Sequence, residues 1–291
     1  MDNNMLKYQA FVKTAEKGSF TKAADELNYA QSSVSKMVAD LEDDWGIKLL
    51  DRSKNGVVLT SCGEQILPMV REILNGCREL DGYVQKLKGA ETGIVKIGTF
   101  SSVAINWLPN VFSKLREDYP NIECEMLLGD YTEVENWILQ GRVDCGFLRR
   151  PKSGSFDTVL LKRDEYMAVL PADHPLAEGE SVKIEDLDGQ PFLLLENGGK
   201  TEVSDLLRQS GVHPEIRFTT WEDYAVMAMA EKGLGIGILP SMILKRIPYK
   251  VEIRPLAVPY YREICLATKK NSRPAPATQK FMEYLKYREE T

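Results

Sequence analysis

The chain has 291 residues, of which 43% are hydrophobic and 27% charged, the proportions of an ordinary globular protein. This length predicts two or three domains. No stretch approaches the roughly 18 uncharged apolar residues of a membrane-spanning helix, so no membrane partner is expected. The net charge of -6 does not favour nucleic-acid binding, so any DNA affinity must come from cations placed on one face.

The N-terminus and the cysteines indicate a cytoplasmic protein. The opening residues, MDNNMLKYQAF, lack the basic and apolar regions of a signal peptide. The five cysteines are widely scattered and include no Cys-x-x-Cys pair. This pattern favours free thiols in a reducing compartment over a disulfide framework or a zinc site. We therefore expect no metal site and no cofactor.

The first sixty residues predict three short helices. The first is predicted to end at Gly18, and Thr21 is predicted to be the N-cap of the second. The third is predicted from about Gln31 to Asp43. Apolar residues at helical spacing are expected to face a shared core: Leu6, Phe11, Val12, Ala15, Ala23, Ala24, Leu27, Val34, Met37, Val38 and Leu41.

The third predicted helix carries small polar side chains beside its aliphatic stripe. Hydroxyls and an amide near a helix start can reach base edges or phosphates in the major groove of DNA. Backbone amides at that end also favour phosphate. The alternative is a three-helix unit whose polar face is merely solvated. The candidate DNA-binding residues are Thr21, Gln31, Ser32, Ser33, Ser35 and Lys36.

A hairpin is predicted directly after the third helix. IKLL at 47–50 and VVLT at 57–60 are β-like runs, and Asn55-Gly56 between them is a strong turn signal. A hairpin in this position is a wing. Arg52 and Lys54 lie at its tip, where they could enter the minor groove or bind phosphate.

These N-terminal residues closely resemble the pattern of the LysR-type transcriptional regulators. The resemblance covers the first 63 residues without a gap. Ala30, Ser32 and Lys36 depart from the usual Ser, Pro and Arg, and Trp45 and Leu50 replace the usual Leu and Phe. A lysine at 36 makes a point contact where arginine could bind a guanine with two bonds. The matching residues are Leu6, Phe11, Gly18, Ser19, Phe20, Ala23, Ala24, Leu27, Gln31, Val34, Ser35, Leu41, Glu42, Gly46, Leu49, Arg52, Leu59, Thr60 and Gly63.

A long helix is predicted to follow, with Ser61 and Glu64 as a capping box. Pro68 interrupts its backbone hydrogen bonding. The heptad spacing favours packing against a partner helix. The resemblance implies a homodimer through this linker helix and a homotetramer built from two dimers. The alternative is a helix packed on its own C-terminal domain. The heptad positions are Ile66, Val70, Ile73, Cys77, Leu80, Val84 and Leu87.

From Ile94 onward the chain predicts alternating strands and helices. Runs at 94–99, 122–128 and 143–148 predict one parallel α/β unit, and a second unit follows them. Two α/β lobes form a cleft, and open α/β sheets bind small ligands at the carboxyl ends of their strands. The resemblance implies an effector domain similar to periplasmic binding proteins. The glycine-flanked GAETG at 89–93 is the predicted hinge before this domain.

Several predicted segments converge on this cleft. Polar residues follow the strands of the first lobe, and others open helices of the second. Arg149 could pair with a carboxylate, although arginines at strand ends more often pair with protein acids. A small metabolite is expected, and a negative charge on it is a hypothesis. The candidate effector-binding residues are Thr99, Ser101, Ser102, Gly129, Arg149, Lys200, Thr201 and Thr220; the resemblance favours Ser101, Ser102 and Thr201.

No motif of catalysis or metal binding stands out. GLGIGILP at 233–240 has its glycines after a helix and before a strand, the reverse of a dinucleotide fingerprint. His174 and His213 lack a second ligand at metal spacing. No catalytic residue is therefore predicted, and the chain is not expected to be an enzyme.

The combined expectation is a winged helix-turn-helix DNA-binding domain (1–60), a dimerisation helix (61–88) and an effector-binding domain (93–291). Lobe I would comprise 93–162 and 268–291, and lobe II 163–267. Double-stranded DNA, a small effector and further copies of the chain are the expected partners, with RNA polymerase as a candidate. The alternative function is a cytoplasmic solute-binding module without a DNA role.

Overall fold

The computed structural model describes residues 3–53, 56–88, 92–151, 154–196 and 202–289. Its N-terminal unit has three helices and a two-stranded hairpin around one apolar core, to which Phe11, Val34 and Leu41 contribute fully buried side chains. This arrangement is a winged helix-turn-helix. The elements are α1 (Asn3–Lys17), α2 (Phe20–Leu27), α3 (Gln31–Trp45), β1 (Leu50–Ser53) and β2 (Gly56–Leu59).

Two local predictions in this unit are wrong. The N-cap of α2 is Ser19, whose side chain accepts from the amide of Lys22, and not Thr21. Gly18 has a left-handed backbone with φ of 59°, which turns the chain immediately before Ser19. The first wing strand begins at Leu50 and not at residue 47. The amide of Leu49 is instead bonded to the carboxylate of Glu42.

The linker helix α4 (Ser61–Leu87) continues from the wing. Its N-cap is Thr60, which accepts a hydrogen bond from the amide of Gly63, so the predicted capping role of Ser61 is also wrong. Gly82 faces Pro276 of the C-terminal domain, and a Cβ at Gly82 would lie 3.4 Å from that ring. A side chain here would therefore make ordinary van der Waals contact with the ring, and α4 lies against its own effector domain at this point.

The C-terminal part is a two-lobed α/β structure. The elements of this part are β3 (Gly93–Thr99), α5 (Ser101–Asn106), α6 (Leu108–Asp118), β4 (Ile122–Leu128), α7 (Tyr131–Leu139), β5 (Cys145–Arg149), β6 (Phe156–Pro171), β7 (Pro191–Leu195), α8 (Glu202–Ser210), β8 (Glu215–Thr220), α9 (Asp223–Glu231), β9 (Ile236–Pro240), β10 (Val251–Pro255), β11 (Tyr261–Lys269) and α10 (Pro276–Tyr284). Lobe I contains a parallel β4-β3-β5 array covered by α6, α7 and α10, with α5 packed on α6. Lobe II contains the parallel strands β8-β7-β9 with α8 and α9.

Two long antiparallel strands connect the lobes. Within the described residues, the strands form one sheet in the order β4-β3-β5-β11-β6-β9-β7-β8, with β10 also paired to β6. Strand β11 pairs with β5 of lobe I, whereas β6 pairs with β9 of lobe II. The β6-β11 register shifts between Ile264 and Cys265. Because β6 and β11 pass from one lobe to the other, the cleft between the lobes lies next to these two strands.

Candidate functional sites

The start of α3 presents a polar face to solvent. Its N-cap, Ala30, makes no side-chain capping bond, although its carbonyl accepts from the amides of Ser33 and Val34. Gln31, Ser32 and Lys36 are exposed, whereas Ser33 and Ser35 are half-buried. Val34, Val38 and Leu41 are buried on the opposite side. The helix therefore has the two-sided arrangement that its sequence predicts.

Arg52 of the wing lies beside this face. Its Nη2 donates to Ser35 Oγ at 2.7 Å, and its guanidinium lies 4.7 Å from the ring centroid of Phe20. Two candidate DNA-binding residues from separate elements are thus in contact. Thr21 is exposed in the first turn of α2. Lys54 lies outside the described residues.

Acidic side chains of the N-terminal unit are held by cations of the same unit. Glu26 pairs with Lys13 and Lys17, whose hydrogen bonds lower the pKa of its carboxyl. Burial opposes ionisation of Glu42, but bonds from Lys48 and the amides at 49 and 50 outweigh it and lower the pKa of Glu42. Among the described residues, the exposed cations Lys22 and Lys36 make no ion pair, which leaves them available to phosphate.

The linker helix has two distinct faces. Asn75 Nδ2 donates to the carbonyl of Gly141 at 2.9 Å, and Arg78 pairs with Asp144 at 3.4 Å, so one face contacts lobe I. The other face carries the heptad stripe. Leu80 is 64% exposed and Leu87 is 88% exposed, with Ile73 and Val84 also exposed. A single chain thus leaves this stripe uncovered along the C-terminal half of α4.

Arg71 connects all three parts of the molecule. Its side chain is buried on α4, and its Nη2 lies 3.3 Å from the Glu16 carboxylate of α1. Its Nη1 lies 3.5 Å from Gln140 Oε1, which follows α7. One side chain therefore contacts both the DNA-binding unit and lobe I.

A cavity of about 130 Å³ lies between the lobes. Its apolar and aromatic walls come from both lobes, and its polar side chains come from the starts of α5, α7, α8 and α9 and from β11. The lining residues are Phe100, Ser101, Ser102, Leu128, Gly129, Asp130, Tyr131, Tyr166, Leu195, Glu196, Glu202, Val203, Trp221, Asp223, Pro240 and Arg262.

The floor of the cavity is a buried arginine network. Arg262 donates to Asp164 through Nε and Nη2 at 2.9 and 2.7 Å. Its Nη2 also donates to Ser102 Oγ at 2.6 Å, and its Nη1 to the hydroxyl of Tyr131 at 3.1 Å. Burial disfavours the charged guanidinium, but Tyr131 and Asp164 outweigh it and raise the pKa of Arg262. The network therefore joins helices of lobe I to the two connecting strands.

Two carboxylates of lobe II face the cavity with weaker compensation than Asp164 has. Asp223 is only 9% exposed, and burial raises the pKa of its carboxyl to about 6 despite the opposing effect of Arg262. Glu202 Oε1 is buried without a hydrogen-bond partner, and its Oε2 lies 3.9 Å from Arg149. Burial also raises the pKa of Tyr131 to about 12, with a contribution from Glu202.

The predicted effector residues divide into three groups. Ser101, Ser102 and Gly129 line the cavity. The other described candidates do not line it: Thr99 is fully buried, with its hydroxyl 3.4 Å from the carbonyl of Phe100, and Thr220 Oγ1 accepts from the amide of Glu222. Arg149 lies over Tyr131 at 5.8 Å and beside Glu202, at the rim. Lys200 and Thr201 lie outside the described residues.

Sequence reasoning missed Arg262, Asp164, Asp223 and Glu202. Arg262 and Asp164 are 98 residues apart in the chain, and neither belongs to a recognisable motif. Charged residues within apolar strands were the available signal, because a buried charge requires a partner. In the described part of the chain, no helix is long and apolar enough to cross a membrane, and no cluster of metal-binding side chains occurs.

The winged unit, linker helix and two-lobed domain define a DNA-binding protein with a ligand-binding domain. Residues 88–289 match the model of the LysR substrate binding domain, and residues 6–64 match that of the bacterial regulatory helix-turn-helix protein, lysR family. The chain belongs to the LysR family of DNA-binding transcriptional regulators.

Curated relatives and solved structures agree with this assignment. The HTH-type regulator YvbU of Bacillus subtilis (strain 168) is 33% identical over 285 residues, covering 97% of each chain. LrrA of Synechococcus elongatus, a probable HTH-type regulator, is 30% identical over 288 residues, covering 97% of this chain and 96% of LrrA.

Two solved structures share the fold over nearly the whole chain. A full-length OxyR variant from Pseudomonas aeruginosa has a TM-score of 0.75 at 23% identity, covering 98% of this chain and 97% of that chain. Full-length CbnR complexed with its target DNA has a TM-score of 0.68 at 22% identity, covering 98% and 99%.

Proposed function

We propose that this regulator places two winged units on a dyad-symmetric DNA site and responds to a small molecule bound between its lobes. The exposed start of α3 beside Arg52 supports the DNA contact. The proposed DNA-binding set remains Thr21, Gln31, Ser32, Ser33, Ser35, Lys36, Arg52 and Lys54. CbnR, which shares this fold, was solved with its target DNA.

A gel shift with the DNA upstream of its own operon tests the proposal. A sequence-selective shift that weakens as salt increases is expected, because phosphate contacts release counterions. No selective shift would favour a solute-binding module without a DNA role. We propose that the protein acts in the cytoplasm, where its DNA lies, and that it has no catalytic activity of its own.

Removing either member of the Ser35–Arg52 pair is expected to weaken DNA binding. Ser35→Ala and Arg52→Ala should each raise the dissociation constant for operator DNA by roughly tenfold, the usual scale for one direct contact. Because Ser35 accepts from Arg52, the double variant should lose less than the product of the single losses. Fluorescence anisotropy with labelled operator DNA measures all three constants.

The matched control is Arg116→Ala, which changes an exposed arginine of α6 in lobe I. It should bind the operator as the wild type does. Thermal melting should show that both single variants remain folded. Wild-type affinity in both of them would show that α3 and the wing do not form the DNA-binding face.

The exposed stripe of α4 supports a homodimer, and we further propose that two dimers form a homotetramer. Leu80→Glu would place a charge in the proposed interface, where an unpaired carboxylate is strongly disfavoured. It should raise the dimer dissociation constant at least roughly a hundredfold. Sedimentation velocity would then show a shift towards monomer, with a parallel loss of operator binding.

Val258→Glu is the control for that variant. Val258 is 79% exposed on the loop between β10 and β11 of the effector domain. Unchanged assembly in both variants would indicate that α4 packs only on its own domain, the alternative that the heptad pattern leaves open.

We propose that the effector signal passes along α4. The domain division would be 1–60, 61–88 and 93–291, with lobe I at 93–162 and 268–291 and lobe II at 163–267. The proposed effector set has Ser101, Ser102 and Gly129 in the cavity and Arg149 at its rim, together with Lys200 and Thr201; the candidates Thr99 and Thr220 do not line the cavity. Arg71 supports the coupling because it contacts both Glu16 and Gln140. Effector binding would shift the balance between two arrangements of the DNA-binding units. RNA polymerase is the proposed downstream partner.

A further inference from the structure

The charges that line the cavity between the lobes indicate which kind of ligand it can hold. Among its described lining residues, carboxylates outnumber cations: Asp130, Glu196, Glu202 and Asp223 stand against Arg262. The guanidinium of Arg262 is itself paired with Asp164. The described part of the lining therefore lacks the surplus positive charge on which an anionic effector would depend.

Two of these four carboxylates already have partners. Asp130 is the N-cap of α7 and accepts from the amide of Glu133 at 2.8 Å. Glu196 accepts from the hydroxyl of Ser204. Their charges are therefore used to hold the starts of α7 and α8.

The other two are different. Asp223 is more than nine-tenths buried and lines the cavity; its carboxylate accepts from its own backbone amide but makes no hydrogen bond or ion pair with another of the described residues. Glu202 has one oxygen buried without a partner, and its other oxygen is 3.9 Å from Arg149. Buried carboxylates that are only partly paired are costly, and a bound cation would reduce that cost.

Aromatic side chains surround this pair. Trp221 lies two residues before the start of α9 and is 56% exposed although it lines the cavity. Tyr131 and Tyr166 form further walls. Aromatic faces attract organic cations, and a tryptophan is the strongest of them.

We propose that the effector carries a positive charge, as an amine or a quaternary ammonium group, held by Glu202 and Asp223 against the face of Trp221. This inference rests on the proposed effector-binding function and names the chemical class of the ligand. The cation would neutralise the carboxylates of Glu202 on α8 and Asp223 on α9 while contacting Tyr131 of lobe I. Binding would therefore favour closure of lobe II onto lobe I.

The test uses the full-length protein and shape-matched probes. Choline is compared with its uncharged carbon isostere, and phenethylamine with phenethyl alcohol and phenylpropionate. Thermal melting and calorimetry should show stabilisation by at least one ammonium compound, with binding at least about tenfold tighter than that of its neutral match. The proposal is overturned if neither ammonium compound stabilises the protein, or if phenylpropionate binds more tightly than phenethylamine.

Isosteric variants locate the site. Asp223→Asn and Glu202→Gln should each weaken ammonium binding at least about tenfold, while Glu180→Gln, an exposed carboxylate of lobe II, should not. Ammonium binding that is equal in all four proteins would contradict the assignment. Lys200→Met tests for a ligand of the opposite charge. If phenylpropionate binds the wild type and this binding is lost in Lys200→Met, the site holds a carboxylate and the proposal is overturned.

The DNA function is measured separately. The gel shift with wild-type protein and operator DNA tests the proposed regulator without any ligand. A protein that binds its operator but no ammonium compound would refute the ligand class alone. A protein that binds ammonium but no DNA would refute the regulator alone.

Discussion

Replacing Arg262 by methionine is expected to lower the free energy of unfolding of the effector domain by about 3–5 kcal/mol, because Asp164 would remain buried without its cation. In a domain of this size, that loss corresponds to roughly 6–20 °C in melting temperature. Ser102 and Tyr131 would also lose their donor. Differential scanning calorimetry of the full-length protein measures the change.

A second substitution separates charge from packing. Asp164→Asn in the Arg262→Met background removes the uncompensated carboxylate and should recover a large part of the loss. Arg217→Met is the control, since Arg217 pairs with Glu215 at an exposed site where ion pairs contribute at most about 1 kcal/mol. A loss in Arg262→Met no larger than in Arg217→Met would show that the network does not stabilise the domain.

Replacing Gly63 by alanine is expected to destabilise the winged unit by about 2–4 kcal/mol and to abolish operator binding. A Cβ at this position would lie 2.1 Å from the carbonyl oxygen of Leu49. Because that oxygen belongs to the backbone, the chain entering the wing must shift. Hydrogen exchange of α1–α3 should accelerate, while exchange in the sheet of the lobes should not change.

Gly76→Ala provides the matched comparison on the same helix. Nothing lies within 4 Å of a Cβ at Gly76, so alanine should stabilise α4 by up to about 1 kcal/mol, as it does in an open helix. Opposite signs at the two glycines are the expected result. Tolerance of alanine at Gly63, with full operator affinity, would contradict the observed contact between α4 and the start of the wing.

The regular elements were predictable because their apolar periods are strong. Val34, Val38 and Leu41 form a helical stripe, and they are buried as expected. The helix ends were less predictable where two hydroxyl residues compete. Ser19 caps α2 and not Thr21, because the left-handed backbone of Gly18 turns the chain just before Ser19. Thr60 caps α4 and not Ser61, because its side chain accepts from the amide of Gly63. Such choices depend on tertiary geometry.

The position of the cleft could be predicted from the sequence, but the charge of its lining could not. Strand ends identified Ser101, Ser102 and Gly129, since the carboxyl ends of parallel strands meet at one edge. The charge of the cavity depends on Arg262, Asp164 and Asp223, which come from distant parts of the chain. A count of charges along the sequence does not reveal which of them neutralise one another.

The two strands that run between the lobes limit how the effector domain can move. Strand β6 extends over 16 residues and is paired with β11 along most of its length, so the lobes share a continuous ladder and not a loose tether. Relative motion must then arise from twisting of this pair, most easily where the register shifts beside Ile264. Such a connection permits small rotations and resists wide separation. We expect any signal from the cleft to reach the DNA-binding units as a small rotation that is transmitted along the linker helix.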